Sequence, residues 1–113
     1  MPHFLLRFRY GPGAIRSFVE RPDDDRAARA AQLVASHGGT LRGYWYAFGD
    51  VDGLALIEGP DSSVAAAVAM AVGSTGEVSR IETTVLMTMD EARRALRLAG
   101  TATHLPPGDP AYR

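Results

Sequence analysis

Apolar and polar residues alternate along the first segment of the chain, from His3 to Tyr10. One side of this segment carries Phe4, Leu6, Phe8 and Tyr10, and the other carries His3, Leu5, Arg7 and Arg9. A period of two is typical of a β-strand with one buried face. We therefore predict a strand over residues 3–10, ended by Gly11-Pro12-Gly13.

Helical spacing follows the strand. Ile15, Phe18 and Val19 predict a short helix that Pro22 interrupts. A second helix is predicted to start at Pro22 and to stop at Gly38-Gly39, with three aspartates, 23–25, in its first turn, where the helix dipole favours negative charge. Its inner side is predicted to be a stripe of small residues, while three others face water. The stripe is Ala27, Ala30, Ala31 and Val34, and the water-facing residues are Arg26, Arg29 and Ser36.

Two apolar runs, 40–48 and 52–59, flank a short Gly/Asp turn and predict a β-hairpin. Strict alternation in the first run places Leu41 on the same side as Trp45, opposite Tyr44 and Tyr46. Large apolar groups thus occupy both sides of this strand. The partner run contains four consecutive apolar residues, 54–57, which is typical of a strand buried on both faces.

The rest of the chain repeats the helix and strand pattern. Asp61 or Ser62 is predicted to cap an Ala-rich helix over 64–72, and a fourth strand covers 77–87. Thr88 and Glu91 form a capping box that opens a last helix, which Gly100 ends. The inner face of this helix is predicted to be Ala92, Ala95, Leu96 and Ala99.

These elements indicate an α+β fold, the ferredoxin-like βαββαβ sandwich with an extra C-terminal helix. Right-handed crossovers place strands one and three in the centre of one antiparallel four-stranded sheet, with both main helices on one side. The other side needs a cover, and a second copy of the same sheet would provide it. We therefore expect one domain over residues 1–99, a tail over 100–113 that folding does not require, and a sheet-to-sheet homodimer.

The composition excludes several kinds of catalytic and metal-binding site. The 113 residues include 12 basic residues, all Arg, 13 acidic residues and no Cys, for a net charge of −1. Schiff-base lysines and cysteine nucleophiles are therefore excluded, and three dispersed histidines give no metal signal. We expect no cofactor, no nucleic-acid partner and no membrane partner. Without a signal-peptide pattern at the N-terminus, a cytoplasmic location is the default expectation.

Charged residues of the first and last strands come together in this fold. His3, Arg7 and Arg9 share one side of strand one, while Arg80 and Glu82 share one side of strand four, its neighbour in the sheet. With an aromatic residue nearby, arginines could hold a small aromatic anion between two sheets. An ion-pair network across a subunit interface is the alternative. The candidate ligand-binding residues are His3, Arg7, Arg9, Tyr44, Trp45, Arg80 and Glu82.

An ordered set of motifs resembles the GYD domain family over about residues 1–99. The set comprises the Met-Pro start, the helix interrupted at Pro22, Gly38-Gly39 before Leu41-x-Gly43-Tyr44, and Glu58-Gly59-Pro60-Asp61 before the Ala-rich helix. The Gly-x-Tyr-Asp motif that names the family is replaced here by Gly49-Asp50-Val51-Asp52, so the tyrosine ring is absent.

The resemblance implies a dimeric α/β barrel built on the ferredoxin-like fold. It carries no activity with it, and three classes of function stay open. The first is a small-molecule-binding or accessory homodimer. The second, by analogy with other dimeric α/β barrels, is a cofactor-independent oxygenase or isomerase acting on an aromatic or polyketide-like substrate. The third is a purely structural or regulatory assembly subunit.

Overall fold

The computed structural model of the protein describes residues 1–101, 103, 107 and 108. Four strands and four helices follow one another in the order β-α-α-β-β-α-β-α. They are β1 (His3–Tyr10), α1 (Pro12–Glu20), α2 (Arg26–Ser36), β2 (Thr40–Tyr46), β3 (Gly53–Glu58), α3 (Ser62–Ser74), β4 (Val78–Leu86) and α4 (Met89–Thr101).

The strands form one antiparallel sheet in the order β2-β3-β1-β4. Strands β1 and β3 are therefore central, as the sequence predicts. This is the strand order of the ferredoxin-like split βαβ arrangement, and the predicted α+β fold class is confirmed.

Side chains that alternate between the two faces of β1 show where the core lies. Its even-numbered side chains are buried beneath the helices, together with Ala55 and Ile57 of β3, Val34 of α2 and Val68 of α3. Because successive side chains of a strand point to opposite faces, the odd-numbered side chains of β1 lie on the side away from the helices. We call that side the open face.

Helix α2 begins four residues later than predicted. The Asp25 side chain caps it by accepting a hydrogen bond from the backbone N–H of Ala28 at 2.9 Å. Pro22 and the first two aspartates therefore lie in the preceding turn, and Asp24 pairs with Arg29 at 3.0 Å. The predicted helix start at Pro22 was wrong because a good capping residue outranks a permissive first position.

A β-bulge in β2 breaks the predicted alternation. Leu41 is opposite Ile57, and Gly43 is opposite Leu56, so Arg42 is the extra residue between them. Leu41 therefore shares the helix-covered side with Tyr44, whereas Gly43 and Trp45 lie on the open face. Strict alternation wrongly placed Leu41 beside Trp45, because one extra residue shifts the phase of everything before it.

Helix α4 has no buried residue, so its predicted inner face packs against no core of the described chain. The predicted capping box is present, because Thr88 Oγ1 accepts from the N–H of Glu91 at 3.1 Å and Glu91 Oε1 accepts from the N–H of Thr88 at 3.3 Å. The helix runs on through Gly100 to Thr101. Most of the predicted tail, 100–113, lies outside the described residues.

Gly39 provides a test of how closely α2 approaches the sheet. A Cβ atom there would lie 2.7 Å from the Glu58 carbonyl oxygen and 2.9 Å from Val34 Cγ1. We expect Gly39→Ala to destabilise the fold by about 1–3 kcal/mol through overpacking. Gly13→Ala is the matched control, because the added methyl would meet no described atom within 4 Å apart from its chain neighbours and the backbone of its own helix. Thermal unfolding followed by circular dichroism should separate the variants, and equal midpoints would contradict this packing.

Candidate functional site

The open face is arranged in rows across the four strands. The strand registers place Glu82, Arg7, Leu54 and Trp45 in one row. The next row contains Thr84, Leu5, Leu56 and Gly43. Arg80 and Arg9 face each other beyond the first row, while Leu86, His3, Glu58 and Thr40 form the last.

An apolar belt crosses the middle of this face and consists of Leu5, Leu54, Leu56 and Trp45. The three leucines are half-buried, and the Trp45 side chain is 52% exposed. The indole ring lies directly over Gly43: a Cβ atom at Gly43 would overlap the ring. The bulged strand thus uses an indole ring to cover the gap left by a glycine.

An arginine cleft of about 480 Å³ opens at one end of the belt. Its charged lining residues are Arg7, Arg9, Arg80, Glu82 and Asp50 of the hairpin turn. Arg7 Nη1 lies 3.8 Å from Glu82 Oε2, and Arg80 also pairs with Glu82. Arg9 Nη1 instead donates to the Asp50 carbonyl oxygen at 2.8 Å. Three arginines against two carboxylates leave this cleft with one surplus positive charge.

Glu58 lies at the other end of the belt, between the side chains of His3 and Arg42. His3 Nε2 lies 2.8 Å from Glu58 Oε1, and Arg42 Nη2 lies 2.6 Å from Oε2. The hydrogen bond from Arg42 holds the pKa of the Glu58 carboxyl below its usual value. His3 therefore belongs to a paired cluster, one apolar row away from the arginine cleft.

Tyr44 lies on the opposite side of the sheet from the predicted arginines. Its hydroxyl forms a hydrogen bond with the hydroxyl of Tyr10 beneath the helices. Trp45, the next residue of β2, lies on the open face, so only one of the two candidate aromatic residues joins the arginines there. The structure therefore brings together Arg7, Arg9, Arg80 and Glu82, places Trp45 in the same row as Arg7, and separates Tyr44 from them.

The predicted exposure of Arg26 to water is wrong. The Arg26 side chain is only 10% exposed and bonds Glu77, a residue 51 positions away, at 3.0 Å. A signal was available, because Arg26, Ala30 and Val34 follow the i, i+4, i+8 spacing of one helix face. An arginine in line with a buried valine is a candidate for burial.

Within the described ranges, no cluster of three or more His, Asp or Glu residues is arranged to hold a metal ion. Among the helices of the same ranges, none has the length and apolar character needed to cross a membrane.

Comparison with known proteins identifies relatives by sequence pattern and by fold. The family model described as the GYD domain matches residues 4–96. A search of curated proteins finds no significant match to this chain.

Solved structures resemble the chain at low identity. FFRP-DM1 is 12% identical, with 77% of this chain and 100% of that chain covered at a TM-score of 0.51. TTHA0845 from Thermus thermophilus is 16% identical, with 78% of this chain and 95% of that chain covered at a TM-score of 0.51. A NIPSNAP domain protein from Burkholderia xenovorans is 15% identical, with 78% of this chain and 94% of that chain covered at a TM-score of 0.46. At these identities, the first two support the fold alone.

The Glu58 cluster predicts a pH dependence of stability. A lowered pKa means that folding favours the carboxylate, so this stabilisation is present above the ordinary pKa of 4.5 and is lost as pH falls through the lower folded value. Urea unfolding should therefore show that, between about pH 6 and pH 3, the free energy of unfolding falls more steeply for the wild type than for Glu58→Gln. Glu20→Gln, which removes an exposed carboxylate from α1, controls for net charge. Superimposable wild-type and Glu58→Gln curves would contradict the pairing.

Proposed function

The chain belongs to the GYD domain family, and we propose that it acts as a small-molecule-binding homodimer whose open faces pair and hold a small aromatic anion at the arginine cleft. The observation that carries this proposal is the position of the cleft. Three arginines converge at one end of an apolar belt that no helix of the described chain covers.

The apolar belt supports pairing with a second copy. Three leucines and a tryptophan lie side by side in the centre of the open face, with charged residues at both ends. An apolar centre with a polar rim is the usual anatomy of a protein interface. A second sheet packed about 10 Å away would bury the belt in the way that the two sheets of a sandwich bury theirs. In a dimer with a two-fold axis through the belt, both copies contribute this same surface, so no second complementary surface is needed.

The arginine cleft supports an anionic ligand. A guanidinium group can donate two parallel hydrogen bonds to a carboxylate. Arg9 makes its hydrogen bond to a carbonyl oxygen, which leaves its charge uncompensated by that contact. Trp45 lies in the same row as Arg7 with β3 between them, so two strand spacings, about 10 Å, separate their backbones. A planar ring bearing a carboxylate fits a cleft with cations at one end and an indole nearby.

Two alternatives lead to different measurements. A cofactor-independent oxygenase or isomerase would convert the bound aromatic compound, so product would accumulate. A structural or regulatory assembly subunit would pair through the same face with Arg7, Arg80 and Glu82 serving as interface ion pairs. The binding and assembly experiments below separate these outcomes.

Assembly is tested by placing a charge in the belt. Leu5→Glu puts a carboxylate between Leu56 and Thr84 at the centre of the open face. We expect the wild type to elute as a dimer at micromolar concentration in size-exclusion chromatography with light scattering, and Leu5→Glu to elute as a monomer. Val19→Glu is the control, because Val19 is exposed on α1 and away from the sheet. A monomeric wild type, or a dimer that survives Leu5→Glu, would rule out pairing through this face.

Anion binding is tested with benzoate and its ring-substituted relatives, using the fluorescence of Trp45, the only tryptophan. We expect saturable binding that weakens about tenfold or more in Arg7→Ala and in Arg80→Ala, since a hydrogen bond to a charged group contributes about 1.5–3 kcal/mol. Arg16→Ala, an exposed arginine of α1, should bind as the wild type does.

Two results would contradict the ligand site. The first is the absence of any saturable fluorescence change across the panel of acids. The second is unchanged affinity in both arginine variants together with their dissociation into monomers, which would make these arginines interface contacts.

A further inference from the structure

An inner cavity of about 150 Å³ lies on the other side of the sheet, between its helix-covered face and the helices α2 and α3. Most of its lining is apolar, from side chains such as Leu33, Val68 and Val72. One part of the lining is polar and consists of Tyr10, Tyr44, Arg26, Arg29 and Glu77. The cavity therefore combines an apolar wall with a small group of hydrogen-bonding atoms.

The guanidinium group of Arg26 makes several contacts, but one of its hydrogen-bond donors has no partner among the described residues. Its Nη1 donates to Glu77 Oε1 at 3.0 Å, its Nη2 donates to Ser17 Oγ at 3.0 Å, and its Cζ lies 4.2 Å from the centre of the Phe18 ring. The Nε–H, by contrast, is buried and has no acceptor among the described residues. A buried donor without a partner is costly, because its hydration has been lost and nothing replaces it. Arg26 is one of the residues that line the cavity, so this unpartnered donor lies beside it.

The two tyrosine hydroxyls add a second polar contact. They bond each other, so one of their two protons is committed, and the second has no acceptor in the described part of the chain. Burial raises the pKa of Tyr10 and that of Tyr44, with Glu77 contributing in the same direction at both. Both hydroxyls are therefore protonated at neutral pH. The pair offers one free proton and oxygen lone pairs to a ligand.

The charges around the cavity balance. Arg26 pairs with Glu77, and Arg29 pairs with Asp24, which also lies 3.7 Å from Arg26. Arg26, Arg29 and Glu77 line the cavity, and Asp24 pairs with Arg29 from outside the lining. Each cation thus has a carboxylate partner, so an anion would meet no unpaired positive charge here. A ligand for this cavity should be neutral, in contrast with the anion expected at the arginine cleft.

We propose that the inner cavity is a binding site for a small monocyclic phenol. Dry apolar cavities of about 150 Å³ accept a single benzene ring, which matches the volume here. The apolar wall would contact the ring. The phenol oxygen would bond the hydroxyls of the tyrosine pair. This site lies on the opposite side of the sheet from the proposed dimer contact, so neither proposal depends on the other.

The test uses phenol itself, titrated into the wild-type protein and followed by calorimetry and by the methyl resonances in NMR spectra. Shifts are expected at Leu33, Val68 and Val72, which line the cavity. The open-face residues Leu5 and Leu54 should not shift. Shifts confined to the open-face methyl groups, or no saturable binding at millimolar phenol, would overturn the proposal.

A cavity-filling variant isolates the site. Ala30 lines the cavity, so Ala30→Leu should fill part of it and weaken phenol binding by about tenfold or more, as an occupied cavity cannot accept a ring. Ala27→Leu is the matched control, because Ala27 is exposed on the same helix. If Ala30→Leu does not fold, Val72→Phe serves the same purpose. Unchanged affinity in a folded cavity-filling variant would overturn the proposal.

The polar contact is tested by removing one hydroxyl. Tyr44→Phe should weaken phenol binding by about three- to tenfold, the usual effect of one lost hydrogen bond, and should leave toluene binding unchanged. Toluene has the same ring without the oxygen, so it measures the apolar wall alone. Equal weakening of both ligands would mean that the hydroxyl pair only shapes the cavity, and would contradict its role in recognition.

Discussion

The structure depends on the alternation of β1, the central strand on which both candidate sites are built. Its even-numbered side chains form the floor of the inner cavity and the core, and its odd-numbered side chains provide Leu5, Arg7 and Arg9 to the open face. A shift of one residue in its pairing would expose the aromatic residues and bury the arginines. Burial of four large side chains therefore fixes the register, and the register in turn places the charges.

The sequence predicted those features that depend on local periodicity. The bounds of β1 and the capping box at Thr88 rest on patterns within a few residues, and the structure has them where expected. Of the two residues predicted to cap α3, Asp61 or Ser62, the structure has Asp61. The side assigned to Leu41 was wrong because a bulge breaks the period of two without a distinct sequence signal. The gathering of Arg7, Arg9, Arg80 and Glu82 could be predicted because two neighbouring strands provide them all.

The inner cavity was not predictable in the same way. Its lining comes from five separate elements and from Glu77, which precedes β4. Its volume depends on how closely two helices lie on the sheet. Arg26 is buried through contacts with Ser17 and Glu77, which are 9 and 51 residues away. Pairing over such distances is invisible to periodicity. The predicted stripe of small residues was right for Ala30 and Val34, which face the sheet, and wrong for Ala27, which is exposed. It could not show that space would remain beneath the helix.

The hairpin turn joins the two sites. Arg9 donates to the Asp50 carbonyl oxygen, and the backbone N–H of the next residue, Tyr10, donates to Asp52 Oδ2 at 2.9 Å. Two consecutive residues of β1, whose side chains serve opposite faces, are thus held by one turn. This turn is the stretch Gly49-Asp50-Val51-Asp52, where a valine stands in place of the tyrosine of the family motif. The contacts to Arg9 and Tyr10 use a carbonyl and the carboxylate of Asp52, so they do not require the missing ring.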